Sequence, residues 1–300
     1  MQQQARPMAA PAVRLRGVGT RGASRGILYL VVIVLGVLFG FPFFWAVASS
    51  LKSTPEWFAF PPVWIPKVPQ WSNYNRVFTF SRYPFQVWVY NSLIVVVMAT
   101  IGGVLSSSVV AYGFSRFHFR GRDLLFMVTL GTMFLPSQVT LIPRFILFLK
   151  MKWLDTLRPL WVPSWFGGGA LFIFIMRQFF LTVPMDLDEA ATIDGAGYFE
   201  VFWRILMPLA KPPLATLAII SFMSHWNSFM EPLVYLSVPQ KFTVALGLRL
   251  FPSGEMADYG ESLHTVKMAA TVLSIAPCMV VFFLGQNYFV RGIVTTGLKG

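Results

Sequence analysis

Cysteine and acidic residues are scarce in this chain. Its 300 residues include 1 Cys and 12 Asp or Glu, against 24 Lys or Arg. Because Cys278 stands alone, neither a disulfide within the chain nor a cysteine-rich metal site can form. A net charge of +12 would favour nucleic-acid binding in a soluble domain, but in a chain as apolar as this one it mostly reflects loop topology and anionic headgroups. We therefore expect no nucleic-acid partner.

Signatures of catalysis and metal binding are missing as well. His118, His225 and His264 are far apart and lack ligand spacing, so no metal site is expected. The pattern G-x-x-x-x-G-K-[ST] does not occur, so the chain cannot hydrolyse ATP through a phosphate-cradling loop. No nucleophile stands with a partnered base. We expect a non-catalytic protein that binds no cofactor itself.

Apolar residues, in contrast, are abundant and come in long runs. They make up 56% of the chain, whereas charged residues make up 12%. This is more apolar surface than one soluble core could bury. Runs of about 20 residues suffice for a helix to cross the hydrocarbon core. Six can be placed, at about 27–50, 87–115, 124–149, 159–181, 213–238 and 265–290. The sequence predicts an all-α integral membrane protein with about six transmembrane helices.

Two of these runs contain residues that interrupt helices. The third holds Pro136 and Pro143 with polar residues between them, so we expect it to be kinked or partly unwound. The fourth holds FGGGA at 166–170. Because no Lys-Ser or Lys-Thr follows, this stretch predicts close packing or bending rather than a phosphate loop.

An even number of spans leaves both chain ends on one side of the membrane, and the basic residues near the first spans predict that this side is the cytoplasm. Residues 1–26 contain five Arg and no acid, which predicts a disordered basic cytoplasmic tail before the transmembrane domain at 27–300. The short basic loop SRFHFRGR at 115–122 favours the same orientation. A cleaved signal peptide is an alternative for the first run, although its apolar region of about 19 residues exceeds the usual length of about 7 to 15.

The acidic residues concentrate in one stretch, DLDEAATIDGAG at 186–197, which on this topology is cytoplasmic. Asp186 and Glu189 have the spacing of a capping box and predict a short helix over 187–194. Gly195 and Gly197 offer its stop. A second amphipathic helix is expected over 198–207, ending at Pro208. A solvated connecting loop is the alternative to a docking device.

The same stretch resembles the EAA loop of permease subunits of ATP-binding-cassette (ABC) importers, within about 184–208. The matching pattern is Glu189-Ala190-Ala191, three residues, Gly195, nine residues, Ile205, one residue and Met207-Pro208. Met207 stands where Leu is usual. IDGAG at 193–197, WRILMPLAKPPLATLAIISF at 203–222 and the ending GQNYFVRGIVTTGLKG resemble the carbohydrate branch, similar to the second membrane subunit of the maltose importer.

The resemblance implies a type I ABC importer permease fold in a bacterial or archaeal cytoplasmic membrane. The short helix would be a coupling helix that moves with a soluble ATPase, and Asp194 belongs to the same loop. The implied partners are a second permease subunit in a heterodimer, two copies of a P-loop ATPase that hold ATP and Mg, and an external solute-binding protein. Membrane lipid surrounds the spans. The implied solute is a sugar or a related polar molecule.

A polar stripe in the fifth run is the candidate solute path. Ser224, Asn227, Glu231 and Tyr235 follow helical spacing, with Trp226 beside them, and such groups at lipid depth normally face a cavity or another helix. Helix packing or gating are alternatives. The other functional class that we weigh is a transporter driven by an ion gradient, with Glu231 as proton or sodium site. A membrane enzyme comes third.

Overall fold

The structure is a computed structural model that describes residues 20–79, 84–251 and 263–297, with side chains described from 25 to 286 within those ranges. Every regular element there is helical, which confirms the all-α class. The α-helices are α1 Thr20–Ser50, α2 Thr54–Phe58, α3 Ser72–Thr79, α4 Phe85–Arg116, α5 Arg122–Gly131, α6 Ser137–Lys150, α7 Arg158–Trp161, α8 Ala170–Thr182, α9 Asp186–Ile193, α10 Tyr198–Glu200, α11 Met207–Leu209, α12 Lys211–Trp226, α13 Met230–Tyr235, α14 Val244–Leu250 and α15 His264–Gly297. Residues 1–19 of the predicted tail lie outside the described ranges.

The helices long and apolar enough to cross a membrane correspond to the predicted runs, except that the fifth covers Tyr198–Trp226 rather than 213–238. Four qualify directly, over Arg25–Ser50, Phe85–Arg116, Arg158–Thr182 and His264–Gln286. Two bent pairs bring the number to as many as six: Arg122–Phe134 with Ser137–Lys150, bent by 99°, and Tyr198–Leu209 with Lys211–Trp226, bent by 78°. The first helix begins at Thr20 rather than at 27.

Proline breaks the third span at only one of its two positions. A 3-10 turn, Thr132–Phe134, is followed by Leu135 and Pro136 before α6 begins at Ser137. Pro143 lies inside α6, where it removes one backbone hydrogen bond without ending the helix. The predicted kink is therefore confirmed at Pro136, and Pro143 does not add a second break.

The fifth span is not the single helix predicted over 213–238. Helix α12 ends at Trp226 and α13 begins at Met230, so Asn227, Ser228 and Phe229 form an irregular connection. Four polar residues at helical spacing therefore do not share one helical face. Spacing alone was a poor guide here because the pattern continued across a backbone break.

Helix α4 is the central element of the fold, and it packs against α8 and α12. One buried apolar cluster surrounds its first half and includes Trp88, Val95 and Tyr235. A second surrounds its last half and includes Tyr112, Phe180 and Phe202. Side chains from α1, in contrast, are exposed from 25 to 44, which leaves an apolar surface for lipid or another subunit.

The glycine stretch bends the fourth span and allows a close backbone contact with α4. Gly167, Gly168 and Gly169 have φ values of 93°, 65° and 100°, which non-glycine residues rarely adopt. A Cβ at Gly168 would lie 2.2 Å from the carbonyl oxygen of Gly103 in α4. The sequence-based expectation of close packing and bending is thus confirmed.

We expect Gly168→Ala to destabilise the subunit by about 1 to 3 kcal/mol, because the new methyl group would push α4 and the loop apart. Gly113→Ala is the matched control, since a Cβ there meets nothing within 4 Å. The measurement is thermal unfolding of both purified variants in detergent. Equal melting temperatures would show that the contact between Gly103 and Gly168 can relax without cost.

Candidate functional site

The acidic stretch folds into the short helix α9, although not with the predicted cap. Met185, not Asp186, is the N-cap residue, and its carbonyl oxygen accepts bonds from the backbone N–H groups of Asp188 at 2.9 Å and Glu189 at 3.0 Å. The capping box between Asp186 and Glu189 is therefore wrong. Both carboxylates lie in the first turn, where negative charge is stabilised by the helix dipole.

Helix α9 ends in a glycine C-cap, as predicted for Gly195. The Gly195 N–H donates to the carbonyl of Thr192 at 3.0 Å, and the Ala196 N–H donates to that of Ala191 at 2.9 Å. This pair of bonds is a Schellman motif, and Gly195 supplies its left-handed residue with φ 87°. Gly197 instead begins the next helix as its N-cap, with φ −75°.

The second helix of the loop extends past the predicted end at Pro208. It begins at Tyr198, contains a π-helical segment, Val201–Leu206, and continues through Leu209. Pro208 stands at the second position of Met207–Leu209, directly after the π-helical segment. Pro208 is thus an exposed residue inside the helix rather than its terminator.

Three contacts hold this loop against the end of α4. The Nε atom of Arg116 lies 2.6 Å from Oδ2 of Asp188, with only 5% and 14% of the two side chains exposed. Nη2 of Arg116 also donates to the carbonyl of Val183 at 3.1 Å. The Tyr112 hydroxyl donates to the carbonyl of Tyr198 at 3.0 Å. Helix α9 and α4 are therefore fastened together by a nearly buried ion pair.

The ion pair carries an electrostatic cost as well as a gain. Burial raises the pKa of the Asp188 carboxyl above its usual range, and the Arg116 guanidinium opposes that shift. Removing Arg116 would therefore leave a carboxylate buried without its countercharge. This pairing could not be predicted from the sequence, because Arg116 and Asp188 are far apart along the chain and basic residues near a span end usually reflect topology.

The outer surface of the loop combines small, acidic and apolar residues. Of the predicted coupling residues, Glu189, Ala190, Asp194, Gly195 and Pro208 are exposed, and Ala191 and Ile205 are half-buried. Around them Ile193 is 86% exposed, Phe199 75% and Tyr198 71%. A hollow of about 360 Å³ lies between α9 and the end of α4. Exposed apolar side chains around a small-residue helix are typical of a protein docking surface.

The polar stripe is divided between three environments. Ser224 and Asn227 are exposed, and the Asn227 amide donates to the carbonyl of Met223 at 2.8 Å. Trp226 is buried, with its indole N–H bonded to the carbonyl of Ser274 at 3.1 Å. As a packed core residue, Trp226 does not border a path.

Glu231 and Tyr235 instead line a cavity of about 190 Å³ that is bordered by α6, the fourth span and the two helices on either side of the break in the fifth. Arg144 and His225 line the same cavity, and Arg144 Nη1 lies 3.2 Å from Glu231 Oε1. The structure therefore joins two residues of the stripe to an arginine that the sequence analysis did not select. A charged residue inside a membrane-spanning run could have signalled it.

A set of helical spans, three of them interrupted, with an exposed short helix beside the end of α4, is typical of a membrane transport subunit. The profile of the family described as "Binding-protein-dependent transport system inner membrane component" matches residues 99–295. The chain belongs to this family. It is the membrane-spanning permease subunit of a binding-protein-dependent ABC importer, which confirms that interpretation over the ion-gradient transporter.

Full-length relatives support the assignment. The arabinooligosaccharides transport system permease protein of Bacillus subtilis is 31% identical over 278 residues, covering 91% of this chain and 95% of its own. The sn-glycerol-3-phosphate permease protein of Yersinia enterocolitica is 34% identical, with coverages of 88% and 94%. The trehalose/maltose permease protein of Thermococcus litoralis is 32% identical, with coverages of 92% and 98%.

Solved structures share the fold. A chain of a bacterial ABC transporter involved in the import of the acidic polysaccharide alginate superposes with a TM-score of 0.78 at 24% identity, covering 91% of this chain and 99% of its own. A chain of the bacterial alginate transporter in complex with an alginate pentasaccharide-bound periplasmic protein gives a TM-score of 0.62 at 13% identity, with coverages of 90% and 96%. The type I importer permease fold predicted from the sequence is confirmed.

Proposed function

We propose that the chain imports a carbohydrate and receives its driving force from a separate ATPase that docks on the EAA loop. The observation that carries the proposal is the exposed helix α9, ringed by exposed apolar side chains and fastened to α4 through Arg116 and Asp188. A surface that both binds a partner and is rigidly joined to a span can convert movement of that partner into movement of the span.

The predicted coupling residues have distinct roles in this proposal. Small Ala190 and Ala191 permit close approach of the ATPase cleft, and Gly195 sets the turn after the helix. Exposed Glu189 and Asp194 offer carboxylates to basic or amide groups of the partner. Ile205 and Pro208 belong to the helix that carries the loop back to the membrane.

The complete assembly would contain this chain, a second permease subunit and two ATPase subunits. ATP and Mg would be held by the ATPase subunits, and this chain would bind no cofactor. An external binding protein would deliver the solute, which accords with the family description and with the periplasmic protein named for one structural relative. Two of the relatives are named for oligosaccharides or disaccharides, which supports a sugar as solute.

We further propose that both termini and the EAA loop face the cytoplasm. Single cysteines at the exposed positions Ser72 and Ala190, in a chain with Cys278→Ala, test this orientation. Ser72→Cys should react with a membrane-impermeant maleimide in intact cells, and Ala190→Cys only after permeabilisation. Reaction of both positions from the same side would contradict the orientation.

Shielding of Ala190→Cys tests the docking proposal itself. Its reaction in permeabilised cells should slow when the ATPase subunits are co-expressed, because α9 would then be covered. Lys150→Cys, exposed at the end of α6, is the control and should react equally with and without them. If the ATPase co-purifies but Ala190→Cys reacts as fast with it as without it, the ATPase docks elsewhere.

A further inference from the structure

The cavity near Glu231 forms where two spans lose helical geometry. Gly168 and Gly169 line it from the unwound fourth span, and His225 and Glu231 line it from either side of the break in the fifth. Irregular backbone at membrane depth is tolerated where it borders a cavity. A volume of about 190 Å³ exceeds the space that one water molecule needs.

The polar groups of the cavity retain most of their hydrogen-bonding capacity. Arg144 and Glu231 approach each other through one nitrogen and one oxygen at 3.2 Å, and their side chains remain 47% and 38% exposed. A guanidinium has five N–H donors, and a carboxylate accepts at both oxygens. The hydroxyl of Tyr235 is buried and has no hydrogen-bond partner among the described residues, although the residue borders the cavity.

His225 adds an acceptor to this set. Its Nδ1 lies 2.9 Å from the carbonyl oxygen of Ser221. A carbonyl oxygen only accepts, so Nδ1 is the donor in this contact, and Nε2 is an acceptor whenever the ring is neutral. The cavity therefore contains donors on Arg144 and acceptors on Glu231 and His225, together with a hydroxyl on Tyr235 that can do both.

We propose that this cavity contacts uncharged sugars and discriminates against anionic ones, because Glu231 neutralises the Arg144 guanidinium. The inference rests on the proposed function as a carbohydrate importer. Sugar hydroxyls donate and accept hydrogen bonds, so they fit an alternation of donors and acceptors. A carboxylate or a phosphate would have to displace Glu231 from Arg144 and approach an uncompensated like charge.

The test uses the complete assembly in lipid nanodiscs without binding protein, so that delivery does not limit the choice of solute. Saturation-transfer NMR measures binding of maltose, trehalose and arabinotriose as neutral probes, and of sn-glycerol 3-phosphate and an alginate disaccharide as anionic probes. The unaltered assembly should bind at least one neutral probe and neither anion. In Glu231→Gln, neutral binding should weaken about tenfold, as expected from losing about 1.4 kcal/mol, and anion binding should appear.

Further variants test whether Arg144 and Glu231 bind solute or only stabilise the packing of the spans. Arg144→Gln should weaken neutral binding without gaining anions, whereas Arg144→Gln with Glu231→Gln should recover part of the neutral binding. Arg158→Gln, an exposed arginine that does not line the cavity, should behave as the unaltered chain. The inference would be overturned if neutral probes bound both single variants as tightly as the unaltered assembly. It would also be overturned if the unaltered assembly bound no neutral probe, or if it bound an anionic one.

Failure of the proposed function has a different signature. ATPase activity stimulated by loaded binding protein should persist in Arg158→Gln and in the unaltered assembly whatever the NMR result. Its absence with intact subunit stoichiometry would contradict the importer proposal rather than the selectivity of the cavity.

Discussion

Gly195→Val is expected to abolish coupled transport while the subunit still inserts and assembles. Valine would have to occupy φ 87°, which the Schellman motif at the end of α9 requires. A Cβ residue in the left-handed region costs about 1 to 2 kcal/mol, and β-branching adds to that cost. Each 1.4 kcal/mol is about a tenfold change in an equilibrium. We therefore expect sugar uptake in proteoliposomes to fall more than tenfold.

Gly197→Val is the matched control for this substitution. Both glycines have open space around the position of a Cβ, so neither variant introduces a clash. The two positions differ in backbone conformation, because Gly197 has φ −75° and ψ 163°, which valine adopts readily. Gly197→Val should retain most uptake, and Gly195→Asn should lie between the two because asparagine tolerates positive φ. Equal uptake by all three variants would refute a conformational role for Gly195.

Arg116→Ala is expected to reduce both binding-protein-stimulated ATP hydrolysis and transport. Breaking a buried ion pair by removing one partner costs about 3 to 5 kcal/mol, since the other charge stays buried. Helix α9 would lose the ion pair with α4 and the bond to the Val183 carbonyl together. Binding-protein-stimulated ATPase activity should fall severalfold in an assembly of normal stoichiometry, and uptake should fall with it.

The same loop contains a control arginine. Arg204 pairs with Glu200 one helical turn away, but its side chain is 77% exposed. Exposed pairs of this kind contribute about 0 to 1 kcal/mol, so Arg204→Ala should leave ATPase stimulation and uptake close to normal. Removing both charges of the buried pair, with Arg116→Met and Asp188→Leu, should restore assembly stability above that of Arg116→Ala. Identical behaviour of Arg116→Ala and Arg204→Ala would show that the buried pair is not a coupling element.

Much of the fold follows from local sequence signals. The spans follow from apolar runs of membrane-spanning length. Two of their interruptions follow from a proline at 136 and three glycines at 167–169, because these residues restrict or free the backbone locally. The Gly195 turn was predictable for the same reason. The interruption after Trp226 was missed since the residues 227–229 include neither proline nor glycine.

The contacts that organise the two sites were not predictable from local patterns. Arg116 meets Asp188, and Arg144 meets Glu231, only after several spans have packed together. A single sequence shows that these residues are charged, but not which charge faces which. The capping box between Asp186 and Glu189 failed for a related reason, since another residue, Met185, supplied the first carbonyl of the helix.

Helix α4 is bonded at both of its ends to segments that lie outside the spans. At one end Arg116 holds α9. At the other, Trp88 Nε1 donates to the Pro239 carbonyl at 2.8 Å, and the Asn91 amide donates to the carbonyls of Gln240 and Phe242, both at 3.0 Å. A helix of 32 residues is about 48 Å long at 1.5 Å per residue. If this helix tilts as one body, the movement reaches both membrane faces at the same time. In the proposed assembly, ATP-driven closure on the cytoplasmic side and release of the binding protein on the other side would then occur together.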